Sequence, residues 1–557
     1  MCQRFVQGSI MSSDRAGSMP LEMRTVSHVL EANATTNPDK VAVIEAEGRS
    51  LTYRELDAEA RRIARGFAEL GVVRGDRVLV LMPDVAEFVL LWCGLSIHGA
   101  VEVPVNRAYK GAILARICND SQAQIIVVAA EFIDRLEEIA GELTHLNHCV
   151  VYSTTDATFG HETSPQRLAS RCRMTAYVAL FGNSTPGPGP APAFNDLMAL
   201  MFTSGTTGNS KGVMVTHAHA YACAVQCSKC FDVSPASVLY TAGLPLFHCA
   251  GQWEITYAAF IHHATVVIRN GYKNAHFWAD VRQHGCTATT LLGAVGTFLW
   301  KQPPTPLDRD HSLRTALFAP ILANHREFTE RFGVRVASAY GSTELPCVSV
   351  LRPGDAVPER TCTGSVESAY EVRILDDADR ELPCGELGEI CVRPREPWSM
   401  LTGYWNQPGY SARAFRNLWY HTGDAGYLDA LGRLYFVDRL TDSMRRRGEN
   451  VSATEVEQEI LQHPNVLECA VYPVPDEYTE QEIMASVVAR TGERLDLLSL
   501  VQHVDARLPY FMVPRYWNLL PELPKTPTGK PQKGSLRAIG VTATTWDRVK
   551  AGIKLTR

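Results

Sequence analysis

The chain has 557 residues, 46% of them hydrophobic, which is too long for a single core and predicts two or more domains. A formal charge of −6 gives no electrostatic case for a nucleic-acid partner. Fifteen cysteines, an odd number with no secretory leader before them, read as reduced thiols of a cytoplasmic protein rather than a disulfide framework.

Residues 1–18 are polar and Ser-rich, lack an apolar stretch of signal-peptide length, and are expected to form a disordered tail. Val41–Ile44 is a short β-branched strand, followed by a turn at Gly48-Arg-Ser. From Leu56 through Ala60, Ile63, Ala64, Phe67 and Leu70, apolar side chains recur at intervals of three and four, which marks one face of a helix. Arg77–Met82 reads as a strand, residues 85–98 as a helix and Gln124–Ala129 as another strand. The longest apolar stretch, Phe88 to Val105, contains His98, Glu102 and Pro104, so it predicts a buried helix running into a strand and no membrane span. This β-α-β rhythm predicts parallel sheets covered by helices. Residues 153–195 break it and end in a Pro/Gly-rich run from Asn183, which reads as a surface loop or insertion. Further along, Glu371–Leu375 and Gly388–Arg393 predict antiparallel hairpins, and a new compact α/β unit is expected after Asp442.

One segment concentrates the chemistry. The apolar strand Leu197–Phe202 opens into Thr203, Ser204, Gly205, Thr206, Thr207 and Gly208, with Lys211 close behind. Hydroxyls and free backbone N–H groups are the donors a polyphosphate needs, glycines admit close approach, and the lysine adds a mobile charge. The order is not that of a Walker A loop, because Ser210 precedes Lys211 and Gly212 follows it. Read alone, a Ser/Thr/Gly loop between strand and helix is more often an ordinary connection.

The stretch Thr203–Gly212 resembles the phosphate loop of the adenylate-forming superfamily, which comprises acyl-CoA synthetases, luciferases and peptide-synthetase adenylation domains. Further segments match in the same order over nearly the whole chain. In Leu244-Pro-Leu-Phe-His248 the resemblance puts His248 beside the acyl pocket, although a lone histidine is more often structural. In Ser338–Glu344 it makes Tyr340 the ring stacked on adenine, with Gly341 beside it in the nucleotide loop, Thr343 a phosphate ligand and Glu344 the Mg²⁺ carboxylate. Gly-Ser-Thr-Glu alone is equally a turn before a helix cap. Asp424 matches the family's ribose ligand, Arg439 its arginine at the ribose and α-phosphate, and Asp442 its hinge, with Thr441 where a basic residue is usual. Arg445–Glu457 alone is a solvated basic turn before a capped helix. The resemblance sets the turn around Gly448 against the pantetheine arm of coenzyme A, and Arg445 with its two neighbours against the phosphates. Lys530, in the Pro/Gly-rich loop Leu523–Lys530, resembles the catalytic lysine that bridges the substrate carboxylate and the α-phosphate. The wording of Gly448-Glu-Asn-Val-Ser, and residues 276–304, come closest to crotonobetaine/carnitine-CoA ligase-like synthetases.

The resemblance implies an α/β protein. An N-terminal AMP-binding domain, residues 19–441, would hold two α/β subdomains and a small β-barrel, followed by a smaller mobile C-terminal α/β lid, residues 442–557. The implied activity is an acyl-CoA synthetase that activates a carboxylic acid with ATP and Mg²⁺ as an acyl-adenylate and transfers it to coenzyme A, releasing AMP. Three alternatives stay open: a thioesterification-only enzyme, a stand-alone adenylation enzyme that loads a carrier protein, and a non-catalytic nucleotide-binding scaffold. Leu317–Asn324, standing where a Gly-Gly-Ala-Pro type of segment is common, keeps the first of these in play. A homodimer is compatible with the resemblance. Cys223, Cys227 and Cys230 have the spacing of an iron–sulfur motif but fall on one helix face, where small thiols read as core packing. Pocket walls are expected from 248–253, 292–296, 316–321 and 339–347, whose small residues suit a medium-chain, cyclic or terpenoid acid. The carnitine-like wording instead points to a short acyl betaine, with Trp253 and Glu254 supplying a ring and a carboxylate.

Overall fold

Thr52 starts the first long helix, Tyr53–Glu69, because its hydroxyl accepts the Glu55 N–H while the Glu55 carboxylate accepts the Thr52 N–H at 2.8 Å. Leu56, Ala60, Ile63, Ala64 and Phe67 are all buried along the expected face. The computed structural model describes residues 19–153, 166–182, 191–203, 211–319, 321–322, 324–358, 361–439, 444–446, 449–451, 453–475, 481–508, 510, 512–525 and 529–555. The chain forms two compact units: Met1–Phe202, Gly212–Arg360 and Pro394–Pro408 make the first, and Thr203–Lys211, Thr361–Arg393 and Gly409–Arg557 the second.

The first unit contains two helix-covered sheets. One runs, edge to edge, through Arg173–Ala176, His148–Tyr152, Ile125–Ala129, Arg77–Leu81, Val101–Pro104, Leu197–Thr203 and Lys211–Thr216. Its pairs from Arg173–Ala176 to Leu197–Thr203 are parallel. Every residue of Ile125–Ala129 is buried, as expected of a strand covered on both faces. Above it the helix Ala86–His98 crosses Tyr53–Glu69 so closely that a Cβ on Gly94 would lie 2.6 Å from Ile63. The other sheet runs through Ser349–Leu351, Arg335–Tyr340, Thr315–Ala319, Ala288–Leu292, Val238–Tyr240, Thr265–Ile268, Val41–Glu45 and Ser50–Thr52. Its strands are parallel except the first and last of that order. Tyr240, Phe277, Phe318, Phe328 and Phe332 fill the core on one side of it.

Two expectations need correction here. The Ser/Thr/Gly loop does not lead into a helix: Lys211 opens a second strand, and the helix His217–Ser228 follows only after it. Residues 153–195 are not loop throughout either. Their described part holds the helix Gln166–Arg171 and the strand Arg173–Ala176, which pairs in parallel with His148–Tyr152.

Every residue of His217–Ser228 is buried, Cys223 and Cys227 included, and Cys230 just beyond it is buried too, as core packing requires. The described cysteines are free thiols, and Cys384 alone among them is exposed. Among the described residues no helix is long and apolar enough to cross a membrane.

In the second unit, Tyr370–Leu375, Gly388–Pro394, Tyr420–Leu428, Arg433–Arg439 and Cys362–Val366 lie side by side where a small barrel was expected. The pairings between Gly388–Pro394, Tyr420–Leu428, Arg433–Arg439 and Cys362–Val366 are antiparallel. A separate four-strand sheet follows: Val466–Pro475, Gln481–Ala489, Tyr516–Leu520 and Trp546–Asp547. Val471, Val487 and Trp517 pack on Ile460 and Val504 on one side of it, and Tyr472 and Met484 on Leu523 and Leu536 on the other.

Candidate active site

In the first unit the strand Arg335–Tyr340 delivers Tyr340, largely buried, to the head of a tight loop. The loop folds back on itself: the Val348 N–H donates to the Tyr340 carbonyl at 2.9 Å and the Ser342 N–H to the Leu345 carbonyl at 3.0 Å. A Cβ on Gly341 would stand 3.1 Å from the Cys347 and Pro346 backbone, so this position has no room for a side chain unless the loop shifts. Glu344 is half-buried. Its Oε2 accepts from the Ser342 hydroxyl at 2.9 Å and its Oε1 from the Tyr404 hydroxyl at 3.3 Å. Among the described residues this carboxylate joins no salt bridge. A carboxylate oriented by hydroxyls and uncompensated by a protein cation is the donor a hard divalent cation takes, so the residues fit Mg²⁺.

His248 lies on the same side of the unit. Gly251 makes the turn before it possible, since a Cβ there would overlap the Pro245 carbonyl. His248 Nδ1 accepts the Ala250 N–H at 3.3 Å, which places the proton of the neutral ring on Nε2. The Cys249 sulfur sits 3.5 Å from that Nδ1 and 3.9 Å from the Thr343 hydroxyl. His248, far from them in sequence, thus shares one neighbourhood with Tyr340, Thr343 and Glu344.

The segment after Cys249, Ala250–Tyr257, is a π-helix, a rare geometry that recurs at functional sites. From Gly251 to Ile261 every residue but Glu254 is buried, and Glu254, like Ala250 four residues before it on the same face, is partly exposed. The Cys227 thiol donates to Glu254 Oε2 at 3.8 Å, and burial pushes the Glu254 carboxyl up to about 7. Trp253, expected beside it as a pocket wall, is instead fully buried in the core with its ring 6.2 Å from that of His219. On another face of the π-helix, Gln252 Nε2 donates to both oxygens of the buried Glu102, at 3.1 and 3.0 Å, and burial lifts the Glu102 carboxyl to about 8. Sequence reasoning missed Tyr404 and the thiols around Glu254, because nothing local marks them.

In the second unit Thr203 and Lys211 flank the expected phosphate loop, whose residues Ser204, Gly205, Thr206, Thr207 and Gly208 lie outside the described residues. The Lys211 ammonium stands 4.5 Å from the centroid of the Tyr410 ring, a cation–π contact. The antiparallel register of Tyr420–Leu428 with Arg433–Arg439 sets Asp424 directly opposite Arg439. The turn before Asp424 is pinned: the Gly423 N–H donates to Glu389 Oε1 at 3.0 Å, and the Asp424 N–H to the Thr422 hydroxyl at 3.1 Å. Gly423 has φ of +73°, which favours glycine. Arg445 pairs opposite Asn450 in a short hairpin, while Gly448 and the expected hinge residue Asp442 lie outside the described residues. Lys530 is exposed on a loop closed by a bridge between Lys525 and Pro531 and by the Gln532 N–H donating to the Pro524 carbonyl at 2.7 Å.

Residues 30–405 match the family model described as AMP-binding enzyme, and residues 455–530 the one described as AMP-binding enzyme C-terminal domain. The crotonobetaine/carnitine–CoA ligase of Salmonella paratyphi A is 34% identical over 514 residues, which cover 90% of this chain and 96% of that protein. Among solved structures, ATP-bound MatB from Rhodopseudomonas palustris superposes with a TM-score of 0.78 at 25% identity, covering 92% of this chain and 98% of that one. The anthranilate CoA ligase AuaEII in complex with anthranoyl-AMP gives a TM-score of 0.81 at 24% identity, covering 97% of this chain and 100% of that one, a likeness of fold.

Proposed function

The chain belongs to the AMP-binding enzyme family, and from that premise we propose which of its residues carry each step. It is an AMP-forming acid–thiol ligase: a carboxylic acid is activated with ATP as an acyl-adenylate and transferred to coenzyme A. A carboxylate resists attack at neutral pH because its leaving group would be oxide, and converting it to a mixed anhydride with AMP supplies a far better one. Mg²⁺, when bound, offsets the negative charge of the departing pyrophosphate.

In this reading Glu344 holds the metal, with Ser342 and Tyr404 orienting its two oxygens. The observation that carries the assignment is that this carboxylate, beside Thr343 and half-accessible, has no protein cation in a salt bridge among the described residues. Tyr340 and Gly341 cradle the base, Thr343 takes a phosphate oxygen, and Thr203 to Gly208 with Lys211 supply the remaining phosphate donors. Asp424 and Arg439, opposite each other across two strands, take the ribose and the α-phosphate. His248 lines the acyl pocket. Lys530 steadies charge on the α-phosphate and the attacking carboxylate. Asp442 is the hinge and marks the boundary between domains 19–441 and 442–557, and Gly448 with Arg445 serves coenzyme A in the second step. A cytoplasmic location, supported by the free thiols, and a homodimer complete the proposal.

Lys530→Ala tests it. Acid-dependent pyrophosphate exchange should fall about 100- to 1,000-fold. Thioester formation from a synthetic acyl-adenylate should persist, since the substituted side chain is exposed and acts only in the first step. Equal exchange in both proteins removes the assignment of Lys530, and steady release of ADP rather than AMP contradicts the reaction itself.

A further inference from the structure

Three segments of the second unit are joined by a single carboxylate. Where Gly388–Pro394 runs beside Tyr420–Leu428 the register slips: Glu389 pairs opposite Ala425, yet Cys391, two residues on, pairs opposite His421, four residues back. The surplus residues form a bulge that carries Thr422, Gly423 and Asp424 out of the regular ladder. The Glu389 side chain spans it. Its Oε1 accepts the Gly423 N–H at 3.0 Å, and its Oε2 lies 2.8 Å from His421 Nδ1 and accepts from the Arg416 guanidinium at 3.0 Å.

Arg416 is held in turn by the Asp379 carboxylate at 3.3 Å, and the next residue, Asn417, donates to the same carboxylate. Asn417 and Leu418 have φ of +50° and +68°, a backbone that non-glycine residues keep only where their surroundings hold it. With the Cys391 sulfur 3.3 Å from His421 Nδ1, the group has the donor types of a metal site. Protein donors already engage both Glu389 oxygens, however, and a guanidinium stands where a cation would pair with them. The arrangement is a strut.

What the strut supports is Asp424. Its N–H donates to the Thr422 hydroxyl at 3.1 Å, that hydroxyl donates to the Ile390 carbonyl at 2.7 Å, and the register puts Asp424 opposite Arg439. A carboxylate that must meet two neighbouring ribose hydroxyls at once tolerates little displacement, so the rigidity of the bulge passes into nucleotide affinity.

We propose that Glu389 is a positioning residue for the nucleotide: braced by Arg416, it fixes the Gly423 turn and thereby holds the Asp424 carboxylate at the ribose diol. The inference rests on the assignment of Asp424 to the ribose and adds to it the residue that sets its place.

The test uses the full-length protein and the direct binding of Mg²⁺–ATP and of its 2′,3′-dideoxy analogue, measured by isothermal titration calorimetry with no acid present. The analogue lacks both hydroxyls that Asp424 takes. Wild type should bind ATP about 10- to 100-fold more tightly than the analogue, since hydrogen bonds to a charged group are at stake. Asp424→Ala should bring that ratio to about threefold or less. An amide offers one oxygen where a carboxylate offers two, so in Glu389→Gln either Gly423 or the pair His421 and Arg416 must face an N–H₂ group. Glu389→Gln should therefore shrink the ratio at least about threefold while the analogue binds within about threefold of wild type, whereas a general loosening of the fold would weaken both nucleotides alike. Should Glu389→Gln fail to fold, Arg416→Gln, at a side chain 44% exposed, loosens the same carboxylate from outside and is read in the same way. An unchanged ratio in that variant, or an equal loss for both nucleotides, overturns the inference and leaves Asp424 at the ribose as long as Asp424→Ala abolishes the discrimination. A wild-type ratio near one, or a ratio that survives Asp424→Ala, removes the ribose assignment and the inference with it.

Discussion

Replacing Glu102 by glutamine should stabilise the protein, and by more as the pH rises. An ordinary glutamate loses its proton near 4.5, whereas Glu102, fully buried, keeps its own to about 8. Between those values the unfolded chain has ionised and the native state has not, so the native state binds the extra proton and stability falls with increasing pH. At about 1.4 kcal/mol per pH unit, the cost is under roughly 1 kcal/mol near pH 5, roughly 3 kcal/mol at pH 7 and about 5 kcal/mol above pH 8. The amide of Glu102→Gln carries no such cost. Its new N–H₂ also has an acceptor at hand, since Gln252 Oε1 is buried without a hydrogen-bond partner among the described residues. Urea unfolding of both proteins, followed by tryptophan fluorescence at about pH 5, 7 and 9, measures the difference. A constant offset from imperfect repacking would shift the two profiles in parallel, so the informative quantity is the growth of the gap with pH. Profiles that stay parallel across that range would refute the reasoning.

Two other predictions concern packing and acid. His217 and His219 are buried with no partner on either ring nitrogen among the described residues, and burial pushes both down to about 3 from 6.5. Below pH 6.5 the unfolded chain takes protons that the native state refuses, so stability falls with acidification; His219→Leu should recover roughly 2 kcal/mol near pH 5 and little at pH 7. Gly66→Ala inside the helix Tyr53–Glu69 would ordinarily strengthen it, but the new Cβ would overlap the Leu180 carbonyl, fixed backbone that cannot turn aside. A net loss of roughly 1–3 kcal/mol is expected, read as a lowered urea midpoint.

Much of the framework was legible because it rests on local repetition. The three-and-four spacing from Leu56 to Phe67 and the apolar run Ile125–Ala129 each declare their element and its buried face. The phosphate loop misled at its exit. Val213, Val215 and Thr216 carry the β-branched signal of a strand, yet the expectation went straight to the helix, which begins only at His217. The strand Arg173–Ala176 is short and mostly accessible, so its composition gave no apolar signature, and it exists because His148–Tyr152 offers it an edge. The π-helix was illegible for a different reason: no residue pattern distinguishes its wider turn from an α-turn, and that turn decides that Glu254 faces accessible space while Trp253 enters the core. The candidate nucleotide-site residues were assigned by type and order, but the hydroxyl of Tyr404 on Glu344 joins positions sixty apart and has no local mark.

The seclusion of nearly every thiol gives the experimenter a labelling address. Cys384 stands exposed between Tyr370–Leu375 and Gly388–Pro394, and the other described cysteines are buried. In a Cys2→Ser background a maleimide fluorophore added to native protein would therefore settle on one site without engineered cysteines. A donor dye placed there reports on the second unit while the catalytic side chains keep their native chemistry.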